Sequence, residues 1–183
     1  MKKFLAMLSL ALCGTANAGL LHFEGMITGY TDVVVTQFVV ESDQTVSAWT
    51  DSFDSGANFD PITALWTNDG TYITGNDDNA SISPSTQTSF DSGIQQFLTA
   101  GTYYFTISVY DNFPDSSVNL FSNPGPFDGI LCGGCGYGGF YYSQWLDGVA
   151  SARVIPSNPV PEGSMLAIFA LGLFSLARSR KSK

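Results

Sequence analysis

A chain of 183 residues with 16 acidic side chains against 7 basic ones carries a net charge of −9, and the imbalance is concentrated in its middle. Between Gly19 and Val160 stand 15 Asp or Glu residues against Arg153 alone. That balance excludes nucleic acid and anionic membrane surfaces as partners of the body, because both need clustered cations, while 14% aromatic residues and long Val, Ile and Thr runs exclude disorder.

The chain opens with Lys2-Lys3, an apolar stretch over residues 4–12 and then Ala16-Asn17-Ala18. A positive end, a short hydrophobic run and an A-x-A site make a signal peptide over 1–18, cleaved between Ala18 and Gly19. The Sec translocon is therefore the first expected partner, and the rest of the chain folds in an oxidising compartment.

From Gly19 onward every periodic segment predicts a strand. The segments are 20–27, 33–40, 44–50, 62–67, 71–74, 94–98, 102–110 and 148–155. They are too short for helices, rich in β-branched residues and separated by Asp, Asn, Gly and Ser turns. Asp69-Gly70 between two such runs predicts a tight hairpin. Residues 111–140, with three prolines and many glycines, predict a long surface excursion. The expected fold is all-β, an antiparallel β-sandwich or jelly-roll-like domain over 19–155. Asn58-Phe59-Asp60-Pro61, Leu65, Asn68-Asp69-Gly70, Asn76-Asp77-Asp78, Asp91, Ile94 and Gly101-Thr102-Tyr103-Tyr104 follow in an order that resembles the pre-peptidase C-terminal β-sandwich found beside secreted bacterial proteases. The resemblance spans residues 20–112 and implies an accessory domain without catalytic activity.

The acidic loops of this body have two readings. Asp and Asn make turns through local side-chain-to-backbone bonds. Asn76, Asp77 and Asp78, flanked by Asp60 and Asp91 in a hairpin arrangement, also supply the oxygens that calcium takes from flexible loops. Asp51-Ser52-Phe53-Asp54-Ser55-Gly56 starts like an EF-hand loop but has Phe53 at its third position and Ile62 at its twelfth. Cys132-Gly133-Gly134-Cys135 is the one thiol pair left in the mature chain. It is half of a four-cysteine zinc site and lacks the βαβ setting of a redox motif, so after export it is expected as a disulfide that pins a loop. His22 is the sole histidine, and no Gly-x-Ser-x-Gly element frames a nucleophile; the expectation is no enzyme. Tyr104, Tyr137 and Tyr141 are candidates for stacking on a sugar, which makes exopolysaccharide an alternative partner.

After a proline-rich linker over 156–161 come Val160-Pro161-Glu162-Gly163-Ser164, an apolar run over 164–177, and the basic end formed by Arg178, Arg180, Lys181 and Lys183. The run would make a helix of about 21 Å, shorter than the hydrocarbon core of about 30 Å, with the basic end held in the cytoplasm. This layout over 160–183 resembles the PEP-CTERM sorting signal of Gram-negative bacteria, with Gly163 where that family has its second proline. The resemblance implies an inner-membrane exosortase as partner, a transient membrane anchor, and release to the cell surface or extracellular matrix. The expected function is an exosortase-sorted, non-catalytic structural or adhesive module. A carbohydrate-binding module is the alternative, followed by an accessory hydrolase.

Overall fold

Alternation of apolar and polar residues gives each strand one face for a core and one for the outside. The computed structural model describes residues 19–127, 129 and 138–156, and within them nine strands form two antiparallel sheets. The strands are β1 (Gly19–Met26), β2 (Val34–Val40), β3 (Gln44–Thr50), β4 (Pro61–Thr67), β5 (Tyr72–Asn76), β6 (Gly93–Leu98), β7 (Gly101–Val109), β8 (Tyr141–Val149) and β9 (Ser151–Ile155). One sheet has the order β1-β8-β3-β6 and the other β5-β4-β7-β2-β9. The all-β expectation holds: the one helical element among the described residues is a 3-10 turn at Asp54–Gly56.

The two sheets share one core. Val46, Ala48 and Leu146 of the four-stranded sheet meet Phe38, Leu65, Phe105 and Ile107 of the five-stranded sheet, all buried. A polar pair crosses this core. Thr36 and Gln144 are both fully buried and bond each other, Thr36 Oγ1 donating at 3.0 Å or Gln144 Nε2 at 2.8 Å. The outer face of the five-stranded sheet is covered by the chain itself. Residues 111–127 fold back over it, so that Leu120 and Phe127 pack on Trp66 and Tyr104, and Phe121 sits edge-on to Tyr104 at 5.0 Å.

The hairpin expected at Asp69-Gly70 joins β4 to β5. Gly70 has φ +83° there, a conformation open to glycine, and Thr67 N bonds Thr71 O at 2.9 Å. The strand expected over 148–155 is corrected. Its first two residues belong to β8, which runs through Gly148 (φ +78°) to Val149, and after Ala150 the chain crosses to the other sheet as β9. β8 itself starts directly after the expected excursion, over residues that predict no strand before 148, and lies between β1 and β3 inside its sheet.

Among the described residues no helix is long and apolar enough to cross a membrane. The signal peptide over 1–18, the Cys132–Cys135 pair, Tyr137 and the sorting tail over 160–183 with its basic end lie outside the described residues.

Candidate metal centre

The register of the β4–β5 hairpin decides where the acidic residues meet. Thr63 pairs with Asn76, so Asp60, just before β4, lies across from Asp77 and Asp78, just after β5. This is the open end of the hairpin, opposite the Asp69-Gly70 turn. Asp60, Asp77 and Asp78 can each offer one carboxylate oxygen, all within 4.8 Å of one another. Ca²⁺ holds its oxygens at 2.3–2.6 Å, so ligands on opposite sides of the ion stand about 5 Å apart. The three carboxylates are therefore close enough to share one ion.

Two of these side chains are poorly satisfied by the protein. Asp60 Oδ1 and Asp77 Oδ1 are buried and have no hydrogen-bond partner among the described residues. Burial lifts the Asp60 carboxyl to about 7, with Asp77, Asp78 and Asp91 adding repulsion. Burial also lifts Asp77 to about 6, helped by Asp78 and Asp111. Asp78, the most exposed of the three, is raised by burial as well. Arg153, the one Lys or Arg among the described residues, is engaged elsewhere, its Nε donating to Gln37 Oε1 at 3.0 Å. Among the described residues no positive side chain offsets the charge of this donor set. Asp77 also borders a cleft of about 150 Å³, lined further by Asn76, Tyr72, Phe113 and Pro114, with room for several water molecules.

The other two candidates stand apart from this trio. Asp91 is fully buried, and its carboxylate already accepts from Thr88 N at 2.7 Å, Phe53 N and Thr88 Oγ1 at 3.0 Å, and Thr50 Oγ1 at 3.3 Å. It anchors the 50–53 segment to the start of β6. Asn76 lines the cleft, and its backbone carbonyl accepts from Ser92 Oγ at 2.9 Å.

A second polar cluster, with no counterpart in local sequence, lies on the outer face of the four-stranded sheet. His22, Trp145 and Trp49 stack across β1, β8 and β3, with ring centroids 3.9 and 6.2 Å apart. Trp145 Nε1 donates to Asp51 Oδ2 at 2.8 Å, Ser143 Oγ donates to Asp51 Oδ1, and His22 Nε2 lies 2.8 Å from Ser143 Oγ. Because the serine proton goes to the carboxylate, His22 donates to the serine. In a nucleophilic triad the imidazole instead accepts the serine proton and the carboxylate holds the imidazole. Of the three tyrosines considered for sugar stacking, Tyr104 is buried beneath Phe121. Tyr141 is half-buried and donates to Glu24 Oε2 at 2.7 Å.

No family model, curated protein or solved structure matches this chain.

Proposed function

We propose that this chain is an exported, non-catalytic β-sandwich that serves a structural or adhesive role at the cell surface or in the extracellular matrix, and that Ca²⁺ bound by Asp60, Asp77 and Asp78 stabilises it. The observation that carries the cation is the pair of buried, unpartnered oxygens on Asp60 and Asp77 within a trio of converging carboxylates. Calcium would neutralise charge that the chain itself leaves uncompensated. The non-catalytic part rests on the order of the His22–Ser143–Asp51 relay, in which Ser143 donates to Asp51 and has no general base.

Thermal melting of the chain in EDTA and in millimolar Ca²⁺ tests the cation. At a hundred times the dissociation constant, binding adds about 2.7 kcal/mol, a rise of roughly 5–10 °C for a chain of this size. The rise should vanish in Asp77→Asn; an unchanged melting point in the parent chain would refute the site. The delivery route rests on the signal-peptide and PEP-CTERM-like ends. Deleting 160–183 should move the protein from the cell surface to the culture medium or periplasm, and unaltered distribution would argue against sorting by an exosortase.

Binding to matrix exopolysaccharide is the second reading. It is favoured by the outward Trp145 and His22 rings with the Asp51 and Glu24 carboxylates beside them. Trp145→Ala should abolish retention on the polymer if this reading holds, and undiminished retention would remove this face from it.

A further inference from the structure

β1 is the longest of the four edge strands, and it carries neither proline nor lysine. Natural proteins usually blunt such an edge, because its free N–H and C=O groups template pairing with another chain. One side of β1 is taken by β8, where Ile27 N bonds Phe140 O at 3.0 Å and the register continues through Gly25–Tyr142 and Phe23–Gln144. In an antiparallel ladder this phase turns the backbone groups of residues 21, 23 and 25 toward β8. Those of Leu20, His22, Glu24 and Met26 then point to the other edge, which no strand covers among the described residues. The side chains of the same four residues stand on the outer face and are exposed.

The order of these side chains is self-complementary. Read outward from Phe23, the strand has His22 on one side and Glu24 on the other, then Leu20 and Met26 at equal distances. Two copies of β1 laid antiparallel about an axis through Phe23 would put His22 against Glu24 of the second copy. Leu20, 55% exposed, would face Met26 of the second copy, 65% exposed. Each match occurs twice by symmetry. The four outward residues are also the ones whose backbone groups pair with no strand among the described residues, so every side-chain match coincides with a hydrogen-bonded pair. Shifting the axis to His22 places Leu20 against Glu24, and shifting it to Glu24 opposes two carboxylates, which destabilises a ladder. Only the Phe23 axis matches apolar with apolar and acid with imidazole.

We propose that β1 is a homodimerisation edge, pairing antiparallel with β1 of a second copy about a two-fold axis through Phe23 and joining the two four-stranded sheets into one. The proposal is independent of the calcium site. Sedimentation of the full chain should show a concentration-dependent dimer, and His22→Glu, which sets like charges against each other twice, should weaken it about tenfold or more. Cysteines fix the register. In hydrogen-bonded pairs the Cα atoms stand about 5.5 Å apart, within disulfide reach. Leu20→Cys/Met26→Cys should therefore form a covalent dimer on mild oxidation. Each single variant should stay at the level of the parent chain, which keeps Cys13, Cys132 and Cys135. Both positions are exposed, so this variant keeps its fold even if His22→Glu does not. A chain monomeric at all concentrations, or a dimer that the paired cysteines fail to capture, overturns the proposal.

Discussion

Asp91 and Asp60 stand close enough to feel each other's charge, yet they solve the problem of a buried carboxylate in opposite ways. Asp91 is the more deeply buried, but four donors from Thr50, Phe53 and Thr88 surround it. Those four hydrogen bonds hold its side chain in place. Asp60 keeps some contact with water but has an orphaned oxygen and, besides Asp91, the acidic neighbours Asp77 and Asp78. Depth of burial therefore does not separate the two carboxylates. The number of donors already committed to each does.

The sharpest way to break this comparison is to remove the satisfied carboxylate. Asp91→Ala would leave two backbone N–H groups and two hydroxyls facing a cavity, each costing about 1–3 kcal/mol when unsatisfied. We expect a loss of roughly 3–5 kcal/mol after relaxation, read as a lower urea midpoint at any calcium concentration. A loss below about 1 kcal/mol would mean that those donors find other partners.

The opposite sign is expected at Asp60. Folded, Asp60 and Asp77 keep their protons up to about pH 7 and pH 6, whereas unfolded they release them near 3.8. The native state therefore binds more protons between those values, and stability in EDTA falls as pH rises from about 4 through 7. Asp60→Asn removes the larger part of this penalty. Allowing for the water that still screens Asp60, the variant should gain about 1–2 kcal/mol over the parent at pH 8 in EDTA. It should gain nothing at pH 4, and it should lose the response to calcium. A flat pH profile of the parent in EDTA would show that the two carboxyls ionise freely.

Much of the fold was legible because the runs over 33–40 and 102–110 can only be half-buried or buried strands. β8 was not, because its inward position 144 is a glutamine. Gln144 is fully buried and satisfied by Thr36, 108 residues away. A polar residue at a core position hides the alternation, and its partner is invisible locally. Gly148 then suggested a strand beginning where one ends. The acidic trio was legible for a similar structural reason in reverse. Asn76-Asp77-Asp78 is contiguous, and a hairpin turning at Asp69-Gly70 returns Asp60 to it. Asp91 joins the same set in sequence as a flank of the hairpin, although Thr88, three residues before it, offers the N–H and hydroxyl of a local cap. The His22–Ser143–Asp51 cluster had no local signal, since its members are brought together only by the order β1-β8-β3.

The most direct measurement is calorimetric titration of Ca²⁺ into the EDTA-stripped chain at pH 6.5 and pH 8, each in two buffers of different ionisation enthalpy. Ca²⁺ at Asp60, Asp77 and Asp78 should bind at one site per chain and release protons at pH 6.5, where Asp60 is still largely protonated, but few at pH 8. Asp60→Asn should abolish the proton release and weaken binding. Absence of binding heat in all four titrations, or binding that Asp60→Asn leaves unchanged, would contradict a calcium centre at the open end of this hairpin.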